Sequence, residues 1–145
     1  MAFKVLCVDH VGVAVNDLAL IKKQMKDLLN LEPSLPDETV EEQHVTTSFF
    51  KPSAQSEACE LESLGSTTPD GPIARYIAKN GGKNGFQHVA LRVDNIVEAL
   101  AALPEDAKLD KHWRVGAGGC HIAFMHPKAT GLLLELTERP GGPSF

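Results

Sequence analysis

The chain has 145 residues, 43% hydrophobic and 23% charged, the proportions of an ordinary folded globule long enough to bury a core. A formal net charge of −5 excludes a sequence-independent nucleic-acid binder, which needs a surplus of lysine and arginine. No stretch approaches the roughly 18 consecutive apolar residues of a membrane span, so no membrane partner is expected. Cys7, Cys59 and Cys120 form no C-x-x-C pair and read as three small buried hydrophobes of a reducing compartment. The start runs directly into a strand and is too short for a signal peptide. The cytoplasm is therefore the expected setting, or the mitochondrial matrix if a leader has been removed.

In chain order, residues 5–15 are valine-rich and alternate weakly, which predicts a strand through His10. Asn16 or Asp17 then supplies an N-cap, and Leu18, Ile21, Met25 and Leu28 follow at helical spacing. Pro33 and Pro36 are expected to stop that helix. Val45–Phe50 is β-branched and aromatic, hence a strand, and Lys51-Pro52-Ser53-Ala54 reads as a turn. Ala58–Leu64 is the next strand, with Glu60 and Glu62 on one face and Leu61 on the other. Pro72 opens a short amphipathic helix with Ile73, Tyr76 and Ile77, and Gly81-Gly82 closes it. A strand at 86–93 and an Asn95-capped helix with Ile96, Leu100 and Leu103 follow, ending at Pro104. The last strands are Cys120–His126 and Leu132–Thr137, separated by a turn at Pro127–Gly131. Each half reads β-α-β-β with room for one more short strand.

The halves also repeat. Asp9-His10-Val11-Gly12-Val13-Ala14-Val15-Asn16-Asp17-Leu18 is written again as Gln87-His88-Val89-Ala90-Leu91-Arg92-Val93-Asp94-Asn95-Ile96, a period of 78 residues that suits a duplicated half-domain. A strand-like run late in each copy presents Glu60 or Glu135. A histidine alone on a strand is commonly structural, and a strand glutamate commonly faces water. Two modules carrying the same pair make a ready four-ligand site for one divalent cation: His10, Glu60, His88 and Glu135. Glu135 sits inside Leu132-Leu133-Leu134-Glu135-Leu136, where an ionised carboxylate is costly unless a cation or donor compensates it. Small residues beside the histidines (Gly12, Ala14, Ala90) leave space in front of the rings. Two imidazoles and two carboxylates suit Co²⁺, Mn²⁺, Ni²⁺, Fe²⁺ or Zn²⁺ without choosing among them. His44, His112, His121 and His126 are taken as structural or surface residues, with His126 the exception to watch because it lies next to the site.

On these stretches, and on Gly116-Ala117-Gly118-Gly119-Cys120-His121-Ile122-Ala123-Phe124-Met125-His126-Pro127-Lys128 above all, the chain resembles the vicinal oxygen chelate superfamily and, within it, the methylmalonyl-CoA epimerase family. The resemblance implies an α+β fold of two βαβββ modules forming a curved mixed sheet around one metal site. The expected organisation is a single domain, 1–145, of modules 1–66 and 84–145 joined by a short helical connector. It implies a metal-dependent isomerase that moves the C2 proton of an acyl-CoA thioester in propionate metabolism, with His10, Glu60, His88 and Glu135 as ligands and Glu135 as a catalytic acid–base group. A second glutamate is expected in the strand after a Glu-Gln-Gly-Val run; this chain reads Glu42-Gln43-His44-Val45-Thr46-Thr47, so Thr47 takes that place. A metal-bound water, Glu62 or a neighbouring histidine would have to substitute. Arg114 and Lys128 are candidates for the CoA phosphates. Arg92, on the strand face of His88, pairs either with a substrate carboxylate or in a structural salt bridge. A homodimer is expected by resemblance. A glyoxalase I-like lactoylglutathione lyase would use the same ligands, and a non-catalytic ligand-binding module is a further alternative, weakened by the retention of all four.

Overall fold

The computed structural model describes residues 3–52 and 59–141. Among them, β1 (Val5–Ala14), α1 (Leu18–Leu29), β2 (Glu38–Val40), β3 (Val45–Phe50) and β4 (Glu60–Ser66) make a βαβββ set. A connecting helix, α2 (Pro72–Lys79), leads to the second set: β5 (Gly85–Val93), α3 (Ile96–Ala102), β6 (Arg114–Val115), β7 (His121–Phe124) and β8 (Leu134–Glu138). The α+β class and the paired βαβββ modules are as the sequence implies, and β2 and β6 are the short strands for which each half had room.

Two compact units divide the chain, residues 11–87 in one and residues 1–10 with 88–145 in the other, so β1 and β5 each run from one unit into the other. In the 11–87 unit the strand order is β2-β3-β4-β1. The β3–β4 pair is antiparallel, in register from Val45 opposite Ser66 to Phe50 opposite Leu61. Its core is Ala14, Val45, Leu64, Ile73 and Ile77, with Tyr76 against it. Asp17 is the cap of α1, its Oδ1 accepting the Leu20 N–H at 3.0 Å. Leu18, Ile21 and Met25 are half-buried, whereas Leu28 is 79% exposed, so the expected apolar stripe covers only the first two turns.

The end of α1 corrects the proline reading. The helix stops at Leu29 because Asn30 adopts the left-handed conformation (φ 52°) and its N–H bonds the Lys26 carbonyl at 3.0 Å. Asparagine is the usual substitute for glycine there, and it acts three residues before Pro33 is reached. β4 runs two residues past the expected end at Leu64; Ala58, and Ser53 and Ala54 of the expected turn, lie outside the described residues. α2 behaves as read: Pro72 is its first residue, Ile73 and Ile77 are buried, and Gly81 turns at φ 71° so that Gly82 N–H reaches the Ile77 carbonyl at 2.9 Å.

In the other unit the order is β1-β5-β8-β7-β6. β5 and β8 are parallel, from Val89 opposite Leu134 to Arg92 opposite Thr137, and β7 is antiparallel to both β8 and β6. A parallel pair needs a crossover, which α3 and the following strands supply. Ile96, Ala99 and Leu100 of α3 pack on Val93, Ala123 and Leu136 from one sheet face. Asn95 caps α3 by accepting the Glu98 N–H at 3.0 Å, and Glu138 of β8 accepts the Ile96 N–H at 2.9 Å. The strand period of two then places His88, Ala90 and Arg92 of β5, Glu135 and Thr137 of β8, and Ile122 and Phe124 of β7 together on the opposite face. One face is spent on the core, the other carries polar groups that are nonetheless buried.

The cysteines differ from expectation. Cys59 is exposed, and Cys7 and Cys120 are half-buried; all three are free thiols. Their composition signal said only that no framework pairs them, not where they point.

Candidate metal centre

Three of the four expected ligands converge in one unit. His10 near the middle of β1, His88 of β5 and Glu135 of β8 each offer an atom within 4.8 Å of the others, and all three are buried. The two imidazoles meet through their Nε2 atoms at 3.3 Å. Glu135 spans both, with Oε1 3.7 Å from His10 Nε2 and Oε2 3.6 Å from His88 Nε2. Donors bound to one four-coordinate ion at about 2.1 Å stand roughly 3.4 Å from each other, so these spacings fit a divalent cation shared by all three. Ala90 lies directly opposite Glu135 in the β5–β8 register, and its methyl group leaves the carboxylate room to swing toward the rings. The rings of His10 and His88 sit edge to face with centroids 5.4 Å apart, and Phe124 packs edge-on against His88 at 5.5 Å. Phe124 fixes the His88 plane and walls that side with apolar surface.

Sequence reasoning did not single out Asp9. Its Oδ1 lies 2.7 Å from His10 Nδ1, and its Oδ2 accepts from Arg92 Nε at 2.8 Å and Arg139 Nε at 2.9 Å. Burial pushes the Asp9 carboxyl up, but hydrogen bonds from His10 and Arg139, the charge of His10 and the Arg92 hydrogen bond outweigh it and hold the group well below the usual carboxylate range. A buried carboxylate with two guanidinium partners is thereby compensated. The signal available in the sequence was two adjacent polar residues, Asp9-His10, in a strand that otherwise reads as hydrophobic. Nothing in spacing joins them to Arg139.

Glu60 belongs to the 11–87 unit. It is buried in β4, its Oε1 accepting from Ser34 Oγ at 3.3 Å and lying 3.9 Å from Lys51 Nζ. Glu62 follows on the same face of β4, also buried, opposite Phe49. Thr47 shares that face through its pairing with Leu64, is buried, and donates weakly from Oγ1 to the Glu38 carbonyl at 3.4 Å.

Of the expected substrate cations, Arg92 is buried and makes the salt bridge to Asp9, one of the two roles left open for it. Arg114 is over the Phe124 ring, its guanidinium carbon 6.0 Å from the centroid, with Nη2 3.7 Å from Asp110. That stacking brings a cation to the same sheet face as His88, one aromatic ring away. Lys128 is exposed in the turn Pro127–Ala129. His126 is structural: its Nδ1 accepts the Lys128 backbone N–H at 3.2 Å and caps that turn. His121 stacks on Trp113, centroids 3.8 Å apart, beside Glu138.

The paired βαβββ sets agree with comparison to known proteins. Residues 9–124 match the model of the Glyoxalase/Bleomycin resistance protein/Dioxygenase superfamily, and the chain belongs to that superfamily. It is 35% identical over 136 residues to the uncharacterized protein YqjC of Bacillus subtilis, covering 92% of each chain. It is 34% identical over 133 residues to the mitochondrial methylmalonyl-CoA epimerase of Bos taurus, covering 90% of this chain and 73% of that one. Its fold is similar to a variant of Streptomyces coelicolor methylmalonyl-CoA epimerase in complex with 2-nitronate-propionyl-CoA, with a TM-score of 0.87, 28% identity, and coverage of 98% of this chain and 100% of the other. No helix among the described residues is long and apolar enough to cross a membrane.

Proposed function

We propose that this protein is a metal-dependent methylmalonyl-CoA epimerase. The observation that carries the reading is the convergence of His10, His88 and Glu135 on one buried point, in a chain whose relatives include epimerases of that name. In this reading His10 and His88, through Nε2, and Glu135 would hold the cation. A bound divalent cation supplies Lewis-acid stabilisation of the charge that develops on the thioester and carboxylate oxygens when C2 loses its proton.

Glu135 takes the C2 proton from one face of one epimer and, in the reverse direction, delivers a proton to that face. Inversion at C2 needs a second acid–base group for the opposite face. Thr47 has no group that ionises near neutral pH, so a metal-bound water, Glu62 or a neighbouring histidine would have to serve. Arg114 and Lys128 are the cations assigned to the anionic parts of the acyl-CoA. A homodimer and a cytoplasmic or mitochondrial setting belong to the same proposal.

The test is proton exchange. In deuterated water, the metal-loaded protein is expected to incorporate deuterium at C2 of methylmalonyl-CoA and to interconvert its epimers. Turnover of the methylglyoxal–glutathione hemithioacetal instead, without that exchange, would replace the reading with the glyoxalase I-like lyase. Absence of both reactions in a protein that retains divalent metal on elemental analysis would leave a ligand-binding module.

A further inference from the structure

We propose that Asp9 is a positioning residue for His10: it accepts the Nδ1–H, fixes the tautomer that turns the Nε2 lone pair toward Glu135 and His88, and is itself steered by Arg92 and Arg139. The inference rests on the metal reading above and adds to it the device that aims one of the ligands.

Neutral imidazole carries one N–H, and the partner of one nitrogen decides the state of the other. At 2.7 Å from a carboxylate oxygen, His10 Nδ1 is a donor; a lone pair there would face the lone pairs of Asp9. Nε2 is then the basic nitrogen, and it is the atom that meets Glu135 and His88. The opposite tautomer would lose the Asp9 bond and direct an N–H at His88 Nε2, closing the ligand position.

Asp9 is in turn fixed. Arg92 reaches its Oδ2 from β5 and Arg139 reaches the same oxygen from just after β8, at 2.8 and 2.9 Å. Two guanidinium groups on one oxygen leave the other oxygen directed at the ring. The two strands that supply the remaining ligands of this unit, β5 and β8, thus also supply the groups that set Asp9, through Arg92 within β5 and Arg139 beside β8. In the repeat, Gln87, an uncharged amide, stands at the position of Asp9, and Phe124 packs edge-on against His88.

The experiment compares Co²⁺ affinity, by chelator competition, with the protonation of the His10 ring nitrogens in long-range ¹H–¹⁵N correlation spectra. Wild type is expected to show His10 protonated at Nδ1. Asp9→Asn is expected to weaken Co²⁺ binding by about 10- to 100-fold and to mix the tautomers. Arg139→Gln should produce a smaller loss that Arg139→Lys recovers, which a merely structural role would not predict. Asp9→Asn that binds Co²⁺ within about twofold of wild type, with His10 still protonated at Nδ1, overturns the proposal. If Asp9 variants do not fold, the Arg139 pair decides: unchanged Co²⁺ affinity in Arg139→Gln overturns it. A wild-type protein that takes up no Co²⁺ sinks the metal reading instead, and the ring spectra still decide the tautomer: His10 protonated at Nε2 would overturn the role of Asp9.

Discussion

His10 and His88 place their Nε2 atoms 3.3 Å apart although 78 residues separate them in the chain. Two basic nitrogens at that distance repel unless a proton or a cation lies between, so under the proposed metal reading the pair should respond to added metal. A divalent cation such as Co²⁺ at 100 times its dissociation constant is expected to stabilise the fold by about 2.7 kcal/mol, a rise in Tm of roughly 5–10 °C for a chain of this size. His88→Ala should abolish the rise, which thermal denaturation with and without the metal measures directly.

Glu135 lies between the rings with one carboxylate oxygen toward each. Glu135→Gln keeps the shape and removes the acid–base function. Deuterium incorporation at C2 is expected to fall by about 10²- to 10⁴-fold, with bound metal measured alongside because Glu135 is also an expected ligand. An exchange rate equal to wild type would remove Glu135 from the chemistry.

Arg114 stacks over Phe124, which in turn packs on His88. As a contact to a substrate anion it contributes a charge-assisted hydrogen bond of about 1.5–3 kcal/mol, so Arg114→Ala should raise KM by roughly tenfold or more with a smaller effect on kcat. Lys128→Ala is expected to act in the same direction and more weakly, because an exposed lysine is well solvated.

Asp9 has its carboxyl depressed by partners present only in the folded protein. A depressed carboxyl stabilises the fold above its unfolded pKa, about 3.9, and loses that contribution as pH falls toward the lower folded value. Asp9→Asn should therefore destabilise the fold by about 3–5 kcal/mol at pH 7, the usual cost of removing one partner of a buried ion pair. The gap to wild type should narrow below about pH 4, read from urea titrations at pH 7 and pH 3.

Leu100 and Asn95 serve the opposite face, away from the polar groups. Leu100→Ala is expected to destabilise by about 2–5 kcal/mol and Asn95→Ala by about 1 kcal/mol, the first from a cavity and the second from a lost cap. Exchange per folded molecule should be unchanged in both, measured under conditions where circular dichroism shows the variants folded.

Strand β3, helix α2 and the caps Asp17 and Asn95 were legible because each depends on neighbours in sequence: β-branched runs, a proline at the first turn, a side chain three residues from the N–H it accepts. His10, His88 and Glu135 were legible for a different reason, the duplication, which writes a tertiary relationship as an internal repeat. Asp9 was not, since its partners Arg92 and Arg139 are brought to it only by the β1–β5–β8 order. The stop of α1 was misplaced because Asn30 in a left-handed turn leaves a weaker mark than the prolines after it. The cysteines were misjudged because average burial of a residue type says nothing of a particular strand end.

Parallel pairing of β5 with β8, next to β1, means that positions 10, 88 and 135 are drawn together from the beginning, middle and end of the polypeptide. An ion gripping all three would act as a cross-link, removing loop-closure entropy from the unfolded chain much as a long-range disulfide does. Stripping it should loosen the outermost segments together, with amide hydrogens of β1 and β8 exchanging faster in concert while those of α2 keep their protection.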